Sequence, residues 1–221
     1  MKIKDIVRKP VLDFLNHEIK PYYKSFDKAH NLAHYKFVTD NCLEYGSELV
    51  KLGYDIDLEL AFVVGALHDI GIINGREGHA KSSARFVKEN KFLNSFYSSE
   101  IVNIIADAVE DHSSHLEYEP RNIYGKIVAD ADRNNSVYLV FSRPVKYRLS
   151  HNKDMTREEI AYDVYDFVDK KFGRNGYVKY NLNIQKTRKE QEDVWELLDN
   201  KPLCIMYIKG IIDECSKGKI C

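Results

Sequence analysis

The sequence predicts an all-α protein, and three observations support this fold class. Apolar residues recur every three or four positions along most of the 221-residue chain, which is the spacing of one helix face. Only 5 prolines and 11 glycines interrupt the chain, so long helices can form. The hydrophobic fraction of 44% is typical of a packed core rather than of disorder. Residues 176–180 ("GYVKY") could form a short strand.

The first two long helices are predicted to bury polar side chains. Residues 27–53 carry an apolar stripe that includes His34, and His30 lies one turn earlier on the same side. Residues 55–71 ("DIDLELAFVVGALHDIG") open with aspartate caps and are apolar nearly all round. This pattern indicates a central buried helix that ends near His68–Asp69, just before a glycine.

The remaining helices are predicted in order along the chain. One runs from Gly78 to Asn90, and the next starts at a Ser98–Ser99 cap and carries a stripe that reaches His112. Further helical patterns cover residues 122–141, residues 156–173 with a capping box of Thr156 and Glu159, the surroundings of Trp195, and residues 205–212. The sequence pattern changes near residue 150, and this change separates a core (about 20–150) from a C-terminal helical extension (about 151–221). We expect both to belong to a single domain, 1–221.

Several imidazoles and carboxylates fall on predicted buried helix faces. Buried groups of this kind are destabilising unless they are paired or bind a metal. Imidazole together with carboxylate suits a divalent ion, and the C-terminal end of the central helix favours a cation. The sequence therefore predicts a metal site to which several helices contribute. The candidates are His34, His68, Asp69, His112 and one of the two aspartates Asp130 and Asp132 in "VADADR".

Five segments carry a family resemblance. In order, "AHNLAHYKFV", "GALHDIGI", "GHAKSSA", "AVEDHSS" and "ADADR" resemble the HD-domain superfamily of metal-dependent phosphohydrolases. The resemblance covers roughly residues 20–150 and is greatest to bacterial predicted HD hydrolases with extra histidine ligands. It implies a helical bundle with the site inside it. The chain lacks a GYP motif and has "HDIGII" in place of "HDxxED", which argues against cyclic di-GMP and (p)ppGpp as substrates.

The resemblance implies four core metal ligands. His34 would be the first ligand, His68 and Asp69 the HD pair, and Asp132 the last. Asp132 is preferred because the family's last aspartate often directly precedes Arg or Lys. Asp130 lies about 200° away from Asp132 around a helix, so only one of the two should face the site.

Two further ligands would complete a second metal site. These are His79 and His112, the latter preferred over His115, and Asp69 would then be shared between the two ions. The glycines of "GIINGREGH" would let the loop turn His79 back towards the central helix. His30 would orient the first ligand. We therefore expect one or two divalent ions, drawn from Fe, Mn, Co, Zn and Mg.

The implied reaction is hydrolysis of a phosphate ester or anhydride in a nucleotide or another small phosphorylated metabolite. A metal held by Asp69 and its neighbours would lower the pKa of bound water and polarise a phosphoryl oxygen. Cationic side chains should neutralise the phosphate. The catalytic candidates beside Asp69 are Arg76, Lys126 and Arg133, and the candidate substrate contacts are Arg133, Lys81, Arg143 and Arg148.

Two other functions remain open at this point. A six-ligand HD set also occurs in mixed-valent di-iron oxygenases, and an HD core can act as a non-catalytic sensor that binds metal or nucleotide. The net charge of −1 gives no field that would attract nucleic acid or a membrane. The four cysteines are scattered without a CxxC pair, which excludes a cysteine zinc site and fits the cytoplasm.

Overall fold

The computed structural model describes residues 2–27, 29–113, 116, 118–133, 136–152, 154–178 and 180–217. Helices dominate this part of the chain, and no strand is assigned within it. The prediction of an all-α fold is therefore confirmed. The chain divides into two compact units, Met1–Arg133 and Asn134–Cys221.

The described residues of the first unit form eight α-helices. They are α1 (Lys9–Phe14), α2 (Lys20–Tyr23), α3 (Leu32–Lys51), α4 (Leu58–Leu67), α5 (His79–Glu89), α6 (Lys91–Phe96), α7 (Ser99–Glu110) and α8 (Ile123–Asp132). A π-helical turn, Leu15–Ile19, joins α1 to α2, and 3-10 turns cover Ile3–Asp5 and Ile70–Asn74.

Side-chain caps fix where the helices begin. The carboxylate of Asp27 accepts hydrogen bonds from the backbone N–H groups of Ala29 and His30, so the chain is still in a turn there. Asn31 then caps α3 by accepting from the N–H groups of Ala33 and His34. The predicted helix over 27–53 consequently starts at Leu32, and His34 lies in its first turn.

Helix α4 forms the centre of the first unit. It packs against α3, α7 and α8, and every residue from Glu59 to Leu67 is buried. Gly65 allows α3 to approach closely, because a Cβ atom there would lie 2.8 Å from the Sγ atom of Cys42. The buried carboxylate of Glu59 forms an ion pair with Arg8 and accepts a hydrogen bond from the hydroxyl group of Tyr97 over 2.8 Å. The predicted central helix is thus present, but it ends at Leu67, immediately before the HD pair.

The second unit contains α9 (Val137–His151), α10 (Arg157–Phe172), α11 (Gln185–Asp199) and α12 (Lys201–Ser216). The capping box of Thr156 and Glu159 is present at the start of α10. Phe141 and Val145 of α9 are buried in a shared apolar core with α10, α11 and α12. Because of this packing, the second unit begins well before residue 151, where we expected the extension to start.

The segment 122–141 is helical, as predicted, and its described helical residues belong to two helices, α8 and α9, of different units. One local expectation needs correction. The described residues of the segment 176–180 form no strand. Within the described ranges, no single helix is long and apolar enough to cross a membrane, and only the bent pair Leu58–Asn74 and His79–Glu89 passes such a test jointly.

Candidate metal centre

The His68–Asp69 pair is held rigidly at the end of α4. The hydroxyl group of Tyr23 donates to the carbonyl of Ala66 over 3.0 Å, which ties down the last turn of the helix. Ser83 of α5 donates from Oγ to the carbonyl of His68 over 2.7 Å and accepts from the N–H group of Gly71 over 2.9 Å. Both hydrogen bonds are buried, so they fix the backbone on either side of Asp69.

One group of ligand atoms surrounds the first side of Asp69. The Nε2 atoms of His34 and His68 lie 3.1 Å apart. The Oδ2 atom of Asp69 lies 3.3 Å from Nε2 of His34 and 3.0 Å from Nε2 of His68. Oδ1 of Asp132 lies 3.1 Å from Nε2 of His34 and 3.8 Å from Nε2 of His68. The four residues carried over as core ligands therefore converge on one point, which we call the first group.

A second group uses the other oxygen of the same carboxylate. Oδ1 of Asp69 lies 3.3 Å from Nε2 of His79 and 3.6 Å from Nε2 of His112. The two Nε2 atoms are themselves 3.1 Å apart. Asp69 is thus shared between the first group and this second group, which contains Asp69, His79 and His112.

Three of the histidines, His68, His79 and His112, present acceptor lone pairs rather than N–H groups to the centre. The Nδ1–H groups of His68, His79 and His112 each donate to the backbone carbonyl three residues earlier, over 2.8, 2.9 and 2.6 Å. In a neutral ring this leaves Nε2 as an acceptor. Two acceptors 3.1 Å apart need a proton or a metal ion between them.

The donor set fits a divalent metal. Oδ2 of Asp69 is buried and accepts no hydrogen bond, which leaves a charged oxygen available to an ion. Adjacent ligands at 2.0–2.1 Å in an octahedral site lie about 3 Å apart, which matches the spacing of the ligand atoms in both groups. Imidazole and carboxylate ligands are those that divalent transition metals accept.

The surrounding helices also favour a cation. Helices α4, α7 and α8 all end at the centre, where they contribute the His68–Asp69 pair, His112 and Asp132. The C-terminal end of each helix carries partial negative charge. Three such ends therefore add to the field of the two carboxylates.

The ionisable groups are strongly coupled in the metal-free protein. Burial opposes the charge of Asp69, but the imidazoles around it, His68 first, outweigh this and hold the pKa of Asp69 well below its usual range. Burial also opposes the charge of His34, but the carboxylates of Asp132 and Asp69, whose oxygens lie 3.1 and 3.3 Å from its Nε2 atom, outweigh this and raise its pKa to about 9. Without metal, the His34 side chain is therefore a positively charged imidazolium at neutral pH.

A solvent-accessible pocket of about 410 Å³ opens onto the centre. Its lining contains three carboxylates against one guanidinium, so bound cations are needed before it can accept an anion. The lining residues are His30, Asp69, Arg76, Glu77, His79, His112, Ser113 and Asp132.

The loop that returns His79 to the centre depends on its glycines in two ways. Gly75 and Gly78 have φ values of 107° and 68°, in the left-handed region that favours glycine. Gly71 does not have a positive φ. It is needed for close packing instead, because a Cβ atom there would lie 2.2 Å from the carbonyl oxygen of His79 and 2.4 Å from the backbone N of Ser83.

The position of His112 differs from the expected one. It lies beyond the end of α7 at Glu110, in a turn, and not on the helix itself. The buried carboxylate of Asp111 accepts from the backbone N–H and the guanidinium of Arg121 over 2.7 Å each, which holds this turn in place. The competing candidate His115 lies outside the described residues.

Two of the proposed cationic residues are paired away from the pocket. Arg133 donates from Nη1 to the buried carboxylate of Asp130 over 3.2 Å, so Asp130, the aspartate that we did not select, has a partner of its own. Lys126 pairs with Glu119 over 3.0 Å. Neither cation lines the pocket, and neither does the exposed Lys81.

The remaining proposed cations divide between the two units. Arg76 lines the pocket at the metal centre. Arg143 and Arg148 belong to the second unit, where both line a different pocket.

Asp27 was not among the site residues predicted from the sequence. Asp27 holds His30 through a 2.8 Å hydrogen bond to Nδ1, and the two rings of His30 and His34 meet edge to face at 5.8 Å between centroids. His30 therefore lines the pocket and is oriented by Asp27. The spacing of three residues between Asp27 and His30 is the one clue that could have indicated this pair.

The chain is similar to a known protein family and to a solved structure. The crystal structure of a predicted HD superfamily hydrolase from an uncultured Thermotogales bacterium is similar, with a TM-score of 0.48 and 24% sequence identity over 76% of this chain and 93% of that one. No curated protein matches the chain. The HD domain family matches residues 30–134, a range that contains every ligand candidate of both groups. Residues 30–134 of this chain therefore correspond to an HD domain.

Proposed function

We propose that this protein is a metal-dependent phosphohydrolase that cleaves a phosphate ester or anhydride in a nucleotide or another small phosphorylated metabolite. The observation that carries the proposal is the position of Asp69, whose two oxygens face separate histidine pairs at the base of an accessible pocket. The HD domain supports the same class of reaction, because HD proteins are generally metal-dependent hydrolases.

Two sets of ligands would each hold one metal ion. His34, His68, Asp69 and Asp132 would hold one divalent ion, and Asp69, His79 and His112 would hold a second. When bound, such ions supply Lewis acidity towards a phosphoryl oxygen and lower the pKa of water. The backbone carbonyls that accept from Nδ1 keep each ring in the tautomer that binds metal.

The other pocket residues would bind and orient the substrate. Arg76 is the cation that lines the pocket, so we assign to it the contact with a phosphate oxygen. His30 uses Nδ1 to hold Asp27, which leaves Nε2 to carry a proton for the leaving oxygen. Arg133 is paired with Asp130, and Lys126 is paired with Glu119. We therefore assign the phosphate contact expected of these two residues to Arg76.

A phosphate-release assay tests this function. Protein loaded in turn with Mn, Co, Fe, Zn or Mg would be incubated with nucleoside mono-, di- and triphosphates and with small phosphomonoesters. We expect release from at least one class, with loss of at least a hundredfold in Asp69→Asn, since one shared ligand serves both ions. His17→Asn is the matched control, because His17 is exposed and hydrogen-bonds only to the carbonyl of Asp13. Absence of phosphate release with every metal would contradict the proposal.

A di-iron oxygenase is the second candidate function. The sharing of Asp69 between two ligand groups is the feature that favours it, because such an enzyme needs two neighbouring iron ions. Iron-loaded protein that consumes O₂ in the presence of a small polyol, and releases no phosphate from any phosphorylated compound, would establish this alternative.

A further inference from the structure

A second pocket lies wholly within the second unit, between α9 and α10. It has a volume of about 470 Å³, and no residue of the metal centre lines it. Its lining consists of Leu139, Val140, Arg143, Pro144, Tyr147, Arg148, Asn152, Asp163, Phe167, Lys171 and Phe172. The volume is within the range of pockets that hold small molecules.

Aromatic rings form much of its wall and are incompletely covered. Tyr147 and Phe167 are 58% and 39% exposed, and Phe172 lies beside them in the lining. Exposed apolar surface that is grouped in a concave site is typical of a ligand-binding surface. Flat rings of this kind favour a flat aromatic ligand, which can stack on them or meet their edges.

The charged groups of the pocket are mostly cationic. Three cations, Arg143, Arg148 and Lys171, face one carboxylate, Asp163. Arg148 pairs with that carboxylate and lies 4.9 Å above the ring of Phe167. The ammonium group of Lys171 lies 5.2 Å from the ring centroid of Phe172. The carboxylate of Asp163 is therefore already paired with Arg148, and the lining of the pocket has more cationic than anionic side chains.

Arg143 is the cation best placed to meet a ligand. It is exposed, it lines the pocket, and its guanidinium forms no ion pair with any residue that the structure describes. A guanidinium presents paired N–H donors that match the two oxygens of a carboxylate or sulfonate.

We propose that this pocket binds a small planar aromatic anion, with its ring against Phe167, Phe172 and Tyr147 and its acidic group on Arg143. This assigns Arg143 and Arg148 to a ligand of the second unit, whereas the sequence alone suggested leaving-group contacts at the metal centre. The proposal does not depend on phosphohydrolase activity, since its residues and its ligand are separate from those of the reaction.

Binding of 1-anilinonaphthalene-8-sulfonate to the full chain provides a direct test. The protein has one tryptophan, and Nε1 of Trp195 donates to the carbonyl of the lining residue Phe172 over 3.0 Å. We expect saturable binding of one molecule per chain, with quenching of Trp195 that follows the dye fluorescence. N-Phenyl-1-naphthylamine has the same rings without the sulfonate, and we expect it to bind about tenfold or more weakly, since it lacks the charge-assisted contact.

Variants locate the binding site. Arg143→Gln should weaken binding of the sulfonate about tenfold and leave that of the neutral amine unchanged. Because Arg143 is exposed, this variant should fold normally, which a thermal melt will verify. Lys146→Gln is the matched control, since Lys146 lies on the same helix, loses the same charge and does not line the pocket.

Several results would overturn the proposal. Binding that does not saturate would indicate a non-specific apolar surface. Equal affinity for the sulfonate and the neutral amine would remove the role of the cations. Equal effects of Arg143→Gln and Lys146→Gln, or loss of binding in Asp69→Asn instead of in Arg143→Gln, would place the anion elsewhere on the protein.

Discussion

His79 and His112 face each other with their Nε2 atoms 3.1 Å apart, although both rings already donate Nδ1–H to backbone carbonyls. Such a pair is stable only with a positive charge between the two nitrogens, either a proton or a metal ion. The Nε2 atoms of His34 and His68 are also 3.1 Å apart, and His34, whose pKa is raised to about 9, supplies the proton between them when no metal is bound. Protons and metal ions therefore compete for the same Nε2 atoms.

Metal affinity should rise steeply with pH up to about 9. In the metal-free protein, Asp132 and Asp69 outweigh burial and raise the pKa of His34 from 6.5 to about 9, so a metal must displace that proton. Below this pKa, each displaced proton lowers affinity about tenfold per pH unit. Titration calorimetry in buffers of different ionisation enthalpy should record proton release on binding of Mn²⁺ or Zn²⁺. Affinity that does not change between pH 6.5 and 9 would contradict this coupling.

The stability of the metal-free protein should fall as the pH rises, whereas metal affinity increases. A raised histidine pKa contributes stability that is fully present below pH 6.5 and is lost as the pH rises through about 9. The melting temperature without metal should therefore fall over this window, and the gap to the metal-loaded protein should widen. His34→Gln should show a smaller fall, whereas His17→Asn should behave as the wild type.

Removal of the Ser83 hydroxyl should loosen the HD turn. Ser83 accepts from the N–H group of Gly71 and donates to the carbonyl of His68, and all of these groups are buried. Ser83→Ala should lower the free energy of unfolding by about 1–3 kcal/mol, because two buried backbone groups lose their partner. Urea unfolding measures this. Ser95→Ala is the matched control, since its hydroxyl is exposed and bonds only to the carbonyl of Phe92; equal effects of the two variants would refute the role of Ser83.

A methyl group at Gly71 should displace His79 selectively. Its Cβ atom would lie 2.2 Å from the carbonyl oxygen of His79 and 2.4 Å from the backbone N of Ser83, so the start of α5 must move. Gly71→Ala should therefore lose metal from the second group while the first group still binds. Gly75→Ala serves as the control, because it meets no atom within 4 Å and introduces only the strain of a positive φ. If metal analysis gives the same content for both variants, the close approach at Gly71 is not important for binding.

The Arg121–Asp111 contact should matter for His112. Arg121→Met leaves the fully buried Asp111 carboxylate without its guanidinium. Solvent at the partly exposed Arg121 reduces the effect, so we expect a loss of about 1–3 kcal/mol in stability together with weaker binding at the second group. Arg174→Met should have no measurable effect, since both partners of the Arg174–Asp199 pair are exposed. Unfolding curves and metal titrations of the two variants would show whether they differ as expected.

Helical periodicity was sufficient to predict the all-α fold and to place His34, the HD pair and His112 among buried helix residues, whereas His79 was predicted only from the family resemblance. The choice of Asp132 over Asp130 followed from the family motif, and the rotation between neighbouring helix positions explains why only Asp132 faces His34. The inferences from periodicity depended on local sequence spacing, because the spacing along a helix determines the direction of each side chain.

Contacts between distant segments could not be predicted in this way. The pairing of Lys126 with Glu119 and the packing of α9 into the second unit depend on tertiary contacts that no local pattern encodes. The same applies to Ser83, whose hydroxyl resembles that of any other helical serine until α5 is packed against the HD turn.

The metal content of single variants tests most directly the claim that Asp69 is shared between two ions. We predict close to two ions per chain in the native protein, about 3.5–4 Å apart, and about one ion in either His79→Ala or His112→Ala. Asp69→Ala should bind neither ion, because both ligand groups include its carboxylate. A single ion per chain in the native protein, retained unchanged in both His79→Ala and His112→Ala, would contradict the claim.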